Sequence, residues 1–291
     1  MKVLVLGASG LLGRAMMRVL PESRDLEVHG TVRTDAAREE CSPAANGVLE
    51  VLSDVQDEHA FERMLRRVDA DVVINCVAPS RESLAASDPI EVIPICAVLP
   101  HRLARQCERK GARLIHVSTD GVFSGRRGRY TEDDEPDARD LYGMAKLLGE
   151  VHAPHAITIR TSMVGHERRN GRGLLEWFLS QERSCKCFSR AIFSGLPAVV
   201  LAAIVRDVII PRSELRGVYH VAAEPITKCD LLRLIGTVYG RATEIVPDDS
   251  VVIDRSLNPQ RFRAATGYTP PAWPDMIRTM HSYWHDERQL V

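Results

Sequence analysis

The sequence predicts an α/β protein built on a doubly wound parallel sheet, with a small lobe in its C-terminal part. Apolar runs of strand length alternate with amphipathic stretches of helix length through the first half of the 291 residues, as they do in βαβ units. Several runs are apolar at consecutive positions, which is typical of strands covered by helices on both faces. The first run leads directly into a glycine-rich turn, and the three features together predict a Rossmann-type fold.

Strands and helices alternate along the first 160 residues. Strands are predicted at residues 2–6, 27–32, 48–52, 71–77, 113–117 and 156–160. Helices are predicted at residues 11–20, 58–68, 90–110 and 141–152, which have helical length or a helical period of apolar residues. Pro94 and Pro100 fall inside the third helix and should kink or interrupt it, because proline lacks a backbone N–H and its ring clashes with the preceding turn.

The alternation weakens beyond residue 160. Helical segments are predicted at residues 171–181, 197–209 and 230–239, with Thr227 as a candidate N-cap of the last, and a late strand is predicted at residues 217–222. We therefore expect a Rossmann domain at residues 1–160, joined by a returning strand near residues 217–222. The rest of residues 161–291 should form mainly a separate lobe.

The composition excludes some classes of partner. The chain has 38 Lys and Arg against 39 Asp and Glu, a formal net charge of −1, so nucleic acid and membranes are not expected partners. No apolar run approaches the ~20 residues that span a bilayer, and the N-terminus lacks a signal-peptide pattern, which predicts a cytoplasmic protein. The seven cysteines show neither a disulfide framework nor zinc-ligand spacing, so they are expected to be reduced thiols and no metal site is predicted.

A glycine-rich turn is the strongest signal in the N-terminal part. The segment Gly7-Ala8-Ser9-Gly10-Leu11-Leu12-Gly13 follows an apolar strand and opens a helix. Glycines there permit a tight turn and a close backbone approach to a pyrophosphate, while the helix N-terminus offers free N–H donors to phosphate oxygens. The spacing is G-x-x-G-x-x-G rather than G-x-G-x-x-G, and a turn that merely packs is the alternative. The segment predicts dinucleotide contacts by Gly7, Ser9, Gly10, Leu11, Leu12 and Gly13.

The ends of the next strands indicate which dinucleotide is bound. Arg33 stands 20 residues beyond Gly13, where NAD-preferring sites usually place an acid. A guanidinium matches a 2′-phosphate and Thr34 can add a hydrogen bond, so NADPH is favoured over NADH. The alternative is a solvated Arg33 with Asp35 as a late acid. Further cofactor contacts are predicted after the third and fourth strands, by Asp54, Val55, Cys76, Val77 and Ala78.

A second group of residues supplies functional groups for carbonyl chemistry. Thr119 follows a predicted strand, and Tyr142 and Lys146 come four residues apart on a predicted helix, so the ammonium can lie beside the phenol. Its charge favours phenolate and brings the tyrosine pKa toward the range of a general acid or base, while Thr119 can hydrogen-bond the same carbonyl oxygen. The Y-x-x-x-K spacing is frequent by chance. In a chain that begins with a glycine-rich turn, however, this spacing predicts Thr119, Tyr142 and Lys146 as catalytic residues. Tyr142 and Lys146 are also expected to contact the cofactor.

With these residues in place, the chain resembles the extended short-chain dehydrogenase/reductases, and within them the dTDP-4-dehydrorhamnose reductase (RmlD-like) group. The resemblance is strong over the first 165 residues and loose beyond them. It rests on residues 7–13, 75–78, 116–125, 130–132, 136, 142–146, 149–150, 160–162, 266–268 and 270–273.

The resemblance implies an NADPH-dependent reductase of a 4-keto-6-deoxy sugar nucleotide, in deoxysugar or polysaccharide biosynthesis. Residues 1–160 would bind NAD(P), and residues 161–291 would mainly bind the nucleotide-sugar substrate. Whether the protein is a homodimer is left open. Substrate contacts are expected from Pro79, Asp120, Val122, Phe123, His166 and Arg168. For His166 and Arg168 the alternative is a position in a solvated loop without substrate contact.

Two positions depart from the family pattern, and other activities of the same fold stay open. Gly121 stands where relatives commonly have an aromatic residue, and Cys96 stands where many have an asparagine that belongs to a proton relay. An epimerase or a 4,6-dehydratase is one alternative, but the chain has Asp120-Gly121 where a dehydratase is expected to have Asp-Glu. A non-catalytic NADP-binding regulatory subunit is the other, and the intact Tyr142 and Lys146 count against it.

Overall fold

The computed structural model describes residues 1–41, 47–79, 88–167 and 173–289, and the chain forms two compact units. The first unit combines Met1–Val122, Ala138–Arg160 and Ala202–Tyr219. The second combines Phe123–Asp137, Thr161–Leu201 and His220–Val291. Each unit is therefore assembled from three separate stretches of chain.

A seven-stranded sheet forms the centre of the first unit. Its strands are β1 (Lys2–Leu6), β2 (Glu27–Val32), β3 (Gly47–Val51), β4 (Val72–Asn75), β5 (Arg113–Thr119), β6 (Ala156–Thr161) and β10 (Gly217–His220), in the spatial order β10-β6-β5-β4-β1-β2-β3. β2 and β4 flank β1, and all pairs from β3 to β5 are parallel. The strand order reverses between β1 and β4, so the sheet is doubly wound and its switch point lies at the carboxyl ends of these two strands. The predicted fold class is confirmed.

Helices bury the apolar strands of this sheet. Val3, Leu4, Val5 and Leu6 of β1 are all fully buried, as expected of a strand that is covered on both faces. The helices of the unit are α1 (Leu11–Val19), α2 (Asp35–Glu40), α3 (Glu58–Val68), α4 (Pro89–Ile93), α5 (Leu99–Lys110) and α6 (Leu141–Leu148). One core cluster joins β1, β4 and β5 to α3 and α5, through Leu4, Leu6, Phe61, Leu65, Val73, Leu103 and Leu114.

Prolines and glycines decide where several of these helices break. A π-helical segment, Pro94–Val98, separates α4 from α5, which confirms the interruption predicted at the prolines. α6 ends at Leu148 rather than at residue 152. A Cβ on Gly149 would lie 2.0 Å from the carbonyl oxygen of Cys96, so only glycine allows the chain to pass this close to the π-helical segment.

Side-chain caps set other boundaries. α3 has the predicted bounds, because the Asp57 carboxylate accepts the backbone N–H groups of His59 and Ala60 at 3.0 Å each. α2 was not predicted, and it is capped by Thr34, whose hydroxyl accepts the N–H of Ala37 at 3.1 Å. The strand predicted at residues 71–77 covers only Val72–Asn75.

The remaining strands and α-helices are β7 (Met163–Val164), α7 (Leu174–Leu179), β8 (Ser184–Phe193), β9 (Leu196–Pro197), α8 (Ala198–Ile204), β11 (Ile226–Thr227), α9 (Lys228–Val238), β12 (Glu244–Asp254), α10 (Gln260–Thr266) and α11 (Trp273–Gln289). The second unit is built around a three-stranded sheet with the order β11-β8-β12. β12 is parallel to β8, with a register shift between Asp248 and Val252, and β11 is antiparallel to β8. Two short strands, β7 and β9, pair separately in parallel.

The sequence did not predict β8 or β12, although β8 carries a signal of its own. Its residues alternate, with Cys185 and Cys187 buried and Lys186 and Phe188 exposed, which is the period-two pattern of a strand with one covered face. α9 confirms the N-cap expected at Thr227, whose hydroxyl accepts the N–H of Asp230 at 3.0 Å. No helix in the described ranges has the length and apolarity needed to cross a membrane.

Candidate active site

The glycine-rich turn connects β1 to α1 and requires its glycines for steric reasons. Gly7 has a φ of 81°, a backbone region that favours glycine. A Cβ on Gly13 would lie 2.0 Å from the Gly7 carbonyl oxygen. Gly10 precedes α1 and contributes no side-chain cap, so the first N–H groups of the helix are free to meet a bound anion. Ser9 and Leu11 are partly exposed beside the turn. The Leu12 side chain is buried, so a contact between Leu12 and a ligand would use its backbone.

The residues after β2 include two candidates for the group that faces a ligand, the cation Arg33 and the acid Asp35. Arg33 is exposed and forms no ion pair with any residue in the described ranges. Asp35, the competing acid, pairs at 2.9 Å with Arg38 one helical turn along α2. The Thr34 hydroxyl already accepts the N–H of Ala37, but it keeps its own proton to donate. The local geometry therefore favours Arg33 over Asp35 as the group that faces a ligand.

The predicted contacts after β4 lie close to the turn, whereas those after β3 follow a strand that β2 separates from β1 in the sheet. The Asp54 carboxylate accepts the N–H of Gln56 at 2.8 Å, and Val55 packs against the core cluster of α3 and α5. A Cβ on Gly7 would lie 3.3 Å from the backbone of Cys76 and Val77. The chain leaving β4 thus runs directly along the glycine turn, and Ala78 and Pro79 continue it outward, with Ala78 exposed.

Lys146 and Tyr142 lie one turn apart on α6. Lys146 is only 2% exposed and donates through Nζ to the carbonyl oxygen of Val117 at 2.7 Å. Desolvation lowers the pKa of Lys146, while the nearby Cys96, Glu150 and Cys76 act in the opposite direction. Tyr142 is partly exposed and packs against a small apolar cluster that includes Cys96. Cys96, the departure noted in the sequence, is therefore a buried thiol close to the Lys146 charge.

Thr119 and Tyr142 come together around Gly121. The Thr119 hydroxyl accepts the N–H of Gly121 at 3.0 Å and lies 3.3 Å from Oδ1 of Asp120. A Cβ built on Gly121 would lie 3.2 Å from Thr119 Oγ1 and 3.5 Å from Tyr142 Cε1. The hydroxyl and the phenol ring thus border the same point in space. α6 can come this close because residue 143 is glycine, where a Cβ would lie 2.4 Å from the Gly121 carbonyl oxygen.

A buried ion pair supports this arrangement, and sequence reasoning assigned it no role. Glu150 accepts from Arg160 through both carboxylate oxygens, at 2.8 Å each, and from the Ser118 hydroxyl at 2.8 Å. Both charged side chains are at most 5% exposed. The two-pronged pair fixes the end of α6 to β5 and β6, the strands beside the candidate site. The feature of the sequence that could have indicated this ion pair is the charged Arg160 inside an apolar strand, since a buried charge needs a partner.

The predicted substrate residues are more dispersed. Val122 and Phe123 are fully buried, and the Phe123 ring stacks on Tyr130 at 4.2 Å, so a contact with substrate would use their backbone. His166 is not a solvated loop residue. Its ring nitrogens lie 2.7 Å from Glu176 Oε1 and 2.9 Å from the Tyr239 hydroxyl, and the ring stacks on Trp284 at 3.9 Å. Arg168 lies outside the described residues, and the substrate role of all these residues stays a prediction.

Known proteins of several kinds have sequences similar to this chain. A protein of Haloferax volcanii named "Probable low-salt glycan biosynthesis reductase Agl14" is 29% identical over 267 residues, covering 87% of this chain and 85% of that protein. A dTDP-4-dehydrorhamnose reductase of Mycobacterium tuberculosis is 41% identical over 120 residues, covering 38% of this chain and 39% of the reductase. The methionine adenosyltransferase 2 subunit beta of Rattus norvegicus is 31% identical over 149 residues, covering 51% of this chain and 41% of that subunit.

Solved structures agree on the fold. The crystal structure of dTDP-4-dehydrorhamnose reductase from Bacillus anthracis in complex with NADP superposes with a TM-score of 0.76 at 19% identity, covering 96% of this chain and 98% of that one. At this identity the likeness concerns the architecture. The family model described as "RmlD substrate binding domain" matches residues 1–264. The chain therefore belongs to the RmlD substrate binding domain family.

Proposed function

We propose that the protein is an NADPH-dependent reductase that converts the C4 keto group of a 4-keto-6-deoxy sugar nucleotide to an alcohol. The observation that carries the proposal is the meeting of the Thr119 hydroxyl and the Tyr142 ring around Gly121, with the Lys146 ammonium buried one helical turn away. Membership of the RmlD family and the sequence match to a dTDP-4-dehydrorhamnose reductase supply the substrate class.

The first unit has a cradle that fits a dinucleotide. Added side chains at Gly7 and Gly13 would fill the space of the turn, and free N–H groups at the start of α1 suit a pyrophosphate. Arg33 suits a 2′-phosphate, which favours NADPH over NADH. Bound there, the reduced nicotinamide supplies the hydride that reaches C4. The backbone of Cys76, Val77 and Ala78 would line the same cofactor.

The side chains of the candidate site then handle the carbonyl oxygen. Tyr142 donates its phenolic proton to the oxygen as negative charge develops there. Lys146 stays charged beside it and stabilises the phenolate that remains, because a positive charge in a buried site acts strongly on its neighbour. Thr119 donates a hydrogen bond to the same oxygen and orients the carbonyl.

Two other activities of this fold are less well supported. A 4,6-dehydratase is expected to use an Asp-Glu pair after the threonine, whereas position 121 is glycine and holds no carboxylate between Thr119 and Tyr142. A non-catalytic regulatory subunit is the other alternative, and one protein similar to this chain, methionine adenosyltransferase 2 subunit beta, is named as a subunit. The complete Tyr142–Lys146 pair favours catalysis over that role.

A panel of 4-keto nucleotide-sugars tests the proposal. Purified protein is incubated with NADPH and each sugar, and oxidation of NADPH is followed by its absorbance. Turnover of at least one member is expected, with a rate lower by about 10²-fold or more for the Tyr142→Phe variant. Protein that binds NADPH, turns over no member of the panel and stabilises a partner protein would instead support the regulatory role.

The cellular location follows from a separate argument. All seven cysteines are free thiols, as expected in a reducing compartment, and we infer a cytoplasmic location from this. Sedimentation of the same preparation tests whether the protein assembles into a homodimer.

A further inference from the structure

A buried asparagine–histidine pair joins β4 to β5 behind the candidate cofactor cradle. Asn75 and His116 are direct partners in the register of the two strands. Asn75 is 1% exposed and His116 is fully buried. The Asn75 amide nitrogen lies 3.1 Å from His116 Nδ1. Neither residue takes part in the chemistry proposed above, so the pair needs an explanation of its own.

The hydrogen bonds around Asn75 fix which atom of each side chain faces the other. The backbone N–H of Val77 can only donate, and it lies 3.1 Å from the Asn75 amide oxygen. The Asn75 NH₂ group must therefore face His116, and His116 Nδ1 must accept from it. This holds His116 in the neutral tautomer with its proton on Nε2, because a proton on Nδ1 would face the Asn75 N–H donor. The buried Nε2 has no hydrogen-bond partner among the described residues. Burial and the nearby Lys146 charge keep the pKa of His116 well below 6.5 in agreement with this assignment.

The pair determines the path of the backbone that leaves β4. The bond from Val77 N–H to Asn75 turns the chain just after the strand, while Cys76 N–H still bonds to the Leu6 carbonyl at 3.1 Å. That turn brings Cys76 and Val77 to 3.3 Å from the position of a Gly7 Cβ. A rotated or mobile Asn75 side chain would release the Val77 N–H and let this segment shift against the glycine turn.

We propose that His116 is a positioning residue for the dinucleotide, which holds the Asn75 amide in the orientation that sets the Cys76–Val77 backbone against the glycine turn. This inference rests on the proposed cofactor site. His116 acts on the cofactor through Asn75 and this backbone, so its loss is expected to weaken cofactor binding and to leave the proton transfer at Tyr142 intact.

Three substitutions of His116 distinguish its role in positioning Asn75 from the space that its side chain fills. His116→Leu removes the acceptor and is expected to raise the Kd for NADPH by about tenfold, because it leaves the buried Asn75 donor unpaired. The kcat at saturating NADPH should stay within about twofold of the wild type. His116→Asn places an amide oxygen near the position of Nδ1 and should restore most of the affinity. If the leucine variant fails to fold, His116→Gln replaces it, since its amide lies one bond further out and misses Asn75.

Thr158→Val is the matched control. Thr158 is fully buried on β6, and its hydroxyl bonds both the N–H and the carbonyl of Val151. Removing it should lower the melting temperature and leave the Kd for NADPH unchanged. If the wild type binds NADPH and His116→Leu or His116→Gln binds it with the same Kd, the positioning role alone is overturned. A wild-type protein that binds no NADPH by calorimetry overturns the cofactor assignment and this inference with it.

Discussion

Tyr142 and Lys146 should respond differently to substitution, because the first exchanges a proton and the second holds a charge. Tyr142→Phe keeps the ring and loses the acid, so we expect kcat to fall by about 10²-fold or more with the Kd for NADPH nearly unchanged. Lys146→Met removes the charge and the bond to Val117, and both kcat and cofactor affinity should fall. Steady-state kinetics with calorimetry measures the two effects. Near wild-type kcat in Tyr142→Phe would remove the catalytic assignment.

Arg33 should decide the choice of cofactor. It is exposed and without an ion pair among the described residues, and a charge-assisted hydrogen bond contributes about 1.5–3 kcal/mol, or about a tenfold to hundredfold preference for NADPH. Arg33→Ala is expected to erase most of the difference between the Kd values for NADPH and NADH. Arg38→Ala is the matched control, because Arg38 pairs with Asp35 instead. Equal Kd values for both cofactors in the wild type would contradict the argument.

His116 gives the stability of the protein a pH dependence with a definite sign. Burial holds the pKa of folded His116 well below 6.5, so below that pH the unfolded chain binds a proton that the folded chain does not. The free energy of unfolding should then fall as pH decreases, by up to about 1.36 kcal/mol per pH unit from this residue. Denaturant titrations of wild type and His116→Asn from pH 8 to pH 5 check this. The stability advantage of the wild type should shrink toward pH 5, and an advantage that grows instead would contradict the neutral assignment.

At the scale of elements, glycines mark where helix α6 meets its neighbours. Gly149→Ala would bring a Cβ to 2.0 Å from the Cys96 carbonyl oxygen, and overpacking of this kind costs typically ~1–3 kcal/mol. Gly236→Ala is the control, since Gly236 lies inside α9 and the nearest atom to its added Cβ, Cζ of Phe178, would be at 3.4 Å. Alanine is also favoured over glycine in a helix interior. Thermal unfolding should show a loss of stability for the first and a small gain for the second. Equal effects would mean that the contact at Cys96 yields easily.

Local signals predicted the elements that depend on neighbours in sequence. α3 matched its predicted bounds because Asp57 caps it and its apolar residues repeat at a helical period. Thr119, Tyr142 and Lys146 could be predicted as a group because their spacing lies within one strand end and one helix, and their catalytic role stays a prediction. β8 was missed since its polar residues break the apolar run, although four of its ten residues are buried.

Long-range partners could not be predicted in the same way. Asn75 and His116 are 41 residues apart, and only the register of β4 and β5 brings them together. Glu150 and Arg160 depend likewise on where α6 stops. Such contacts are products of packing between elements, and a single sequence contains no spacing rule for them.

At the scale of the whole molecule, bound cofactor should stabilise the fold. A ligand at 100 times its Kd stabilises the state that binds it by about 2.7 kcal/mol, so saturating NADPH should raise the melting temperature by about 5 °C. NADH at the same concentration should raise it less, because it lacks the 2′-phosphate. A thermal-shift series over NADPH concentration measures this. An unchanged melting temperature at every concentration would contradict the cofactor assignment.

The division of each unit among three stretches of chain has a consequence for synthesis on the ribosome. The sheet of the first unit is not complete until β10, at Gly217–His220, has emerged. Until then β6 is an outer strand with unpaired backbone groups, the kind of edge that pairs with other chains. Nascent chains, or products truncated before residue 217, are therefore the species most exposed to aggregation. We therefore expect chaperones to matter most in the interval between the synthesis of β6 and that of β10.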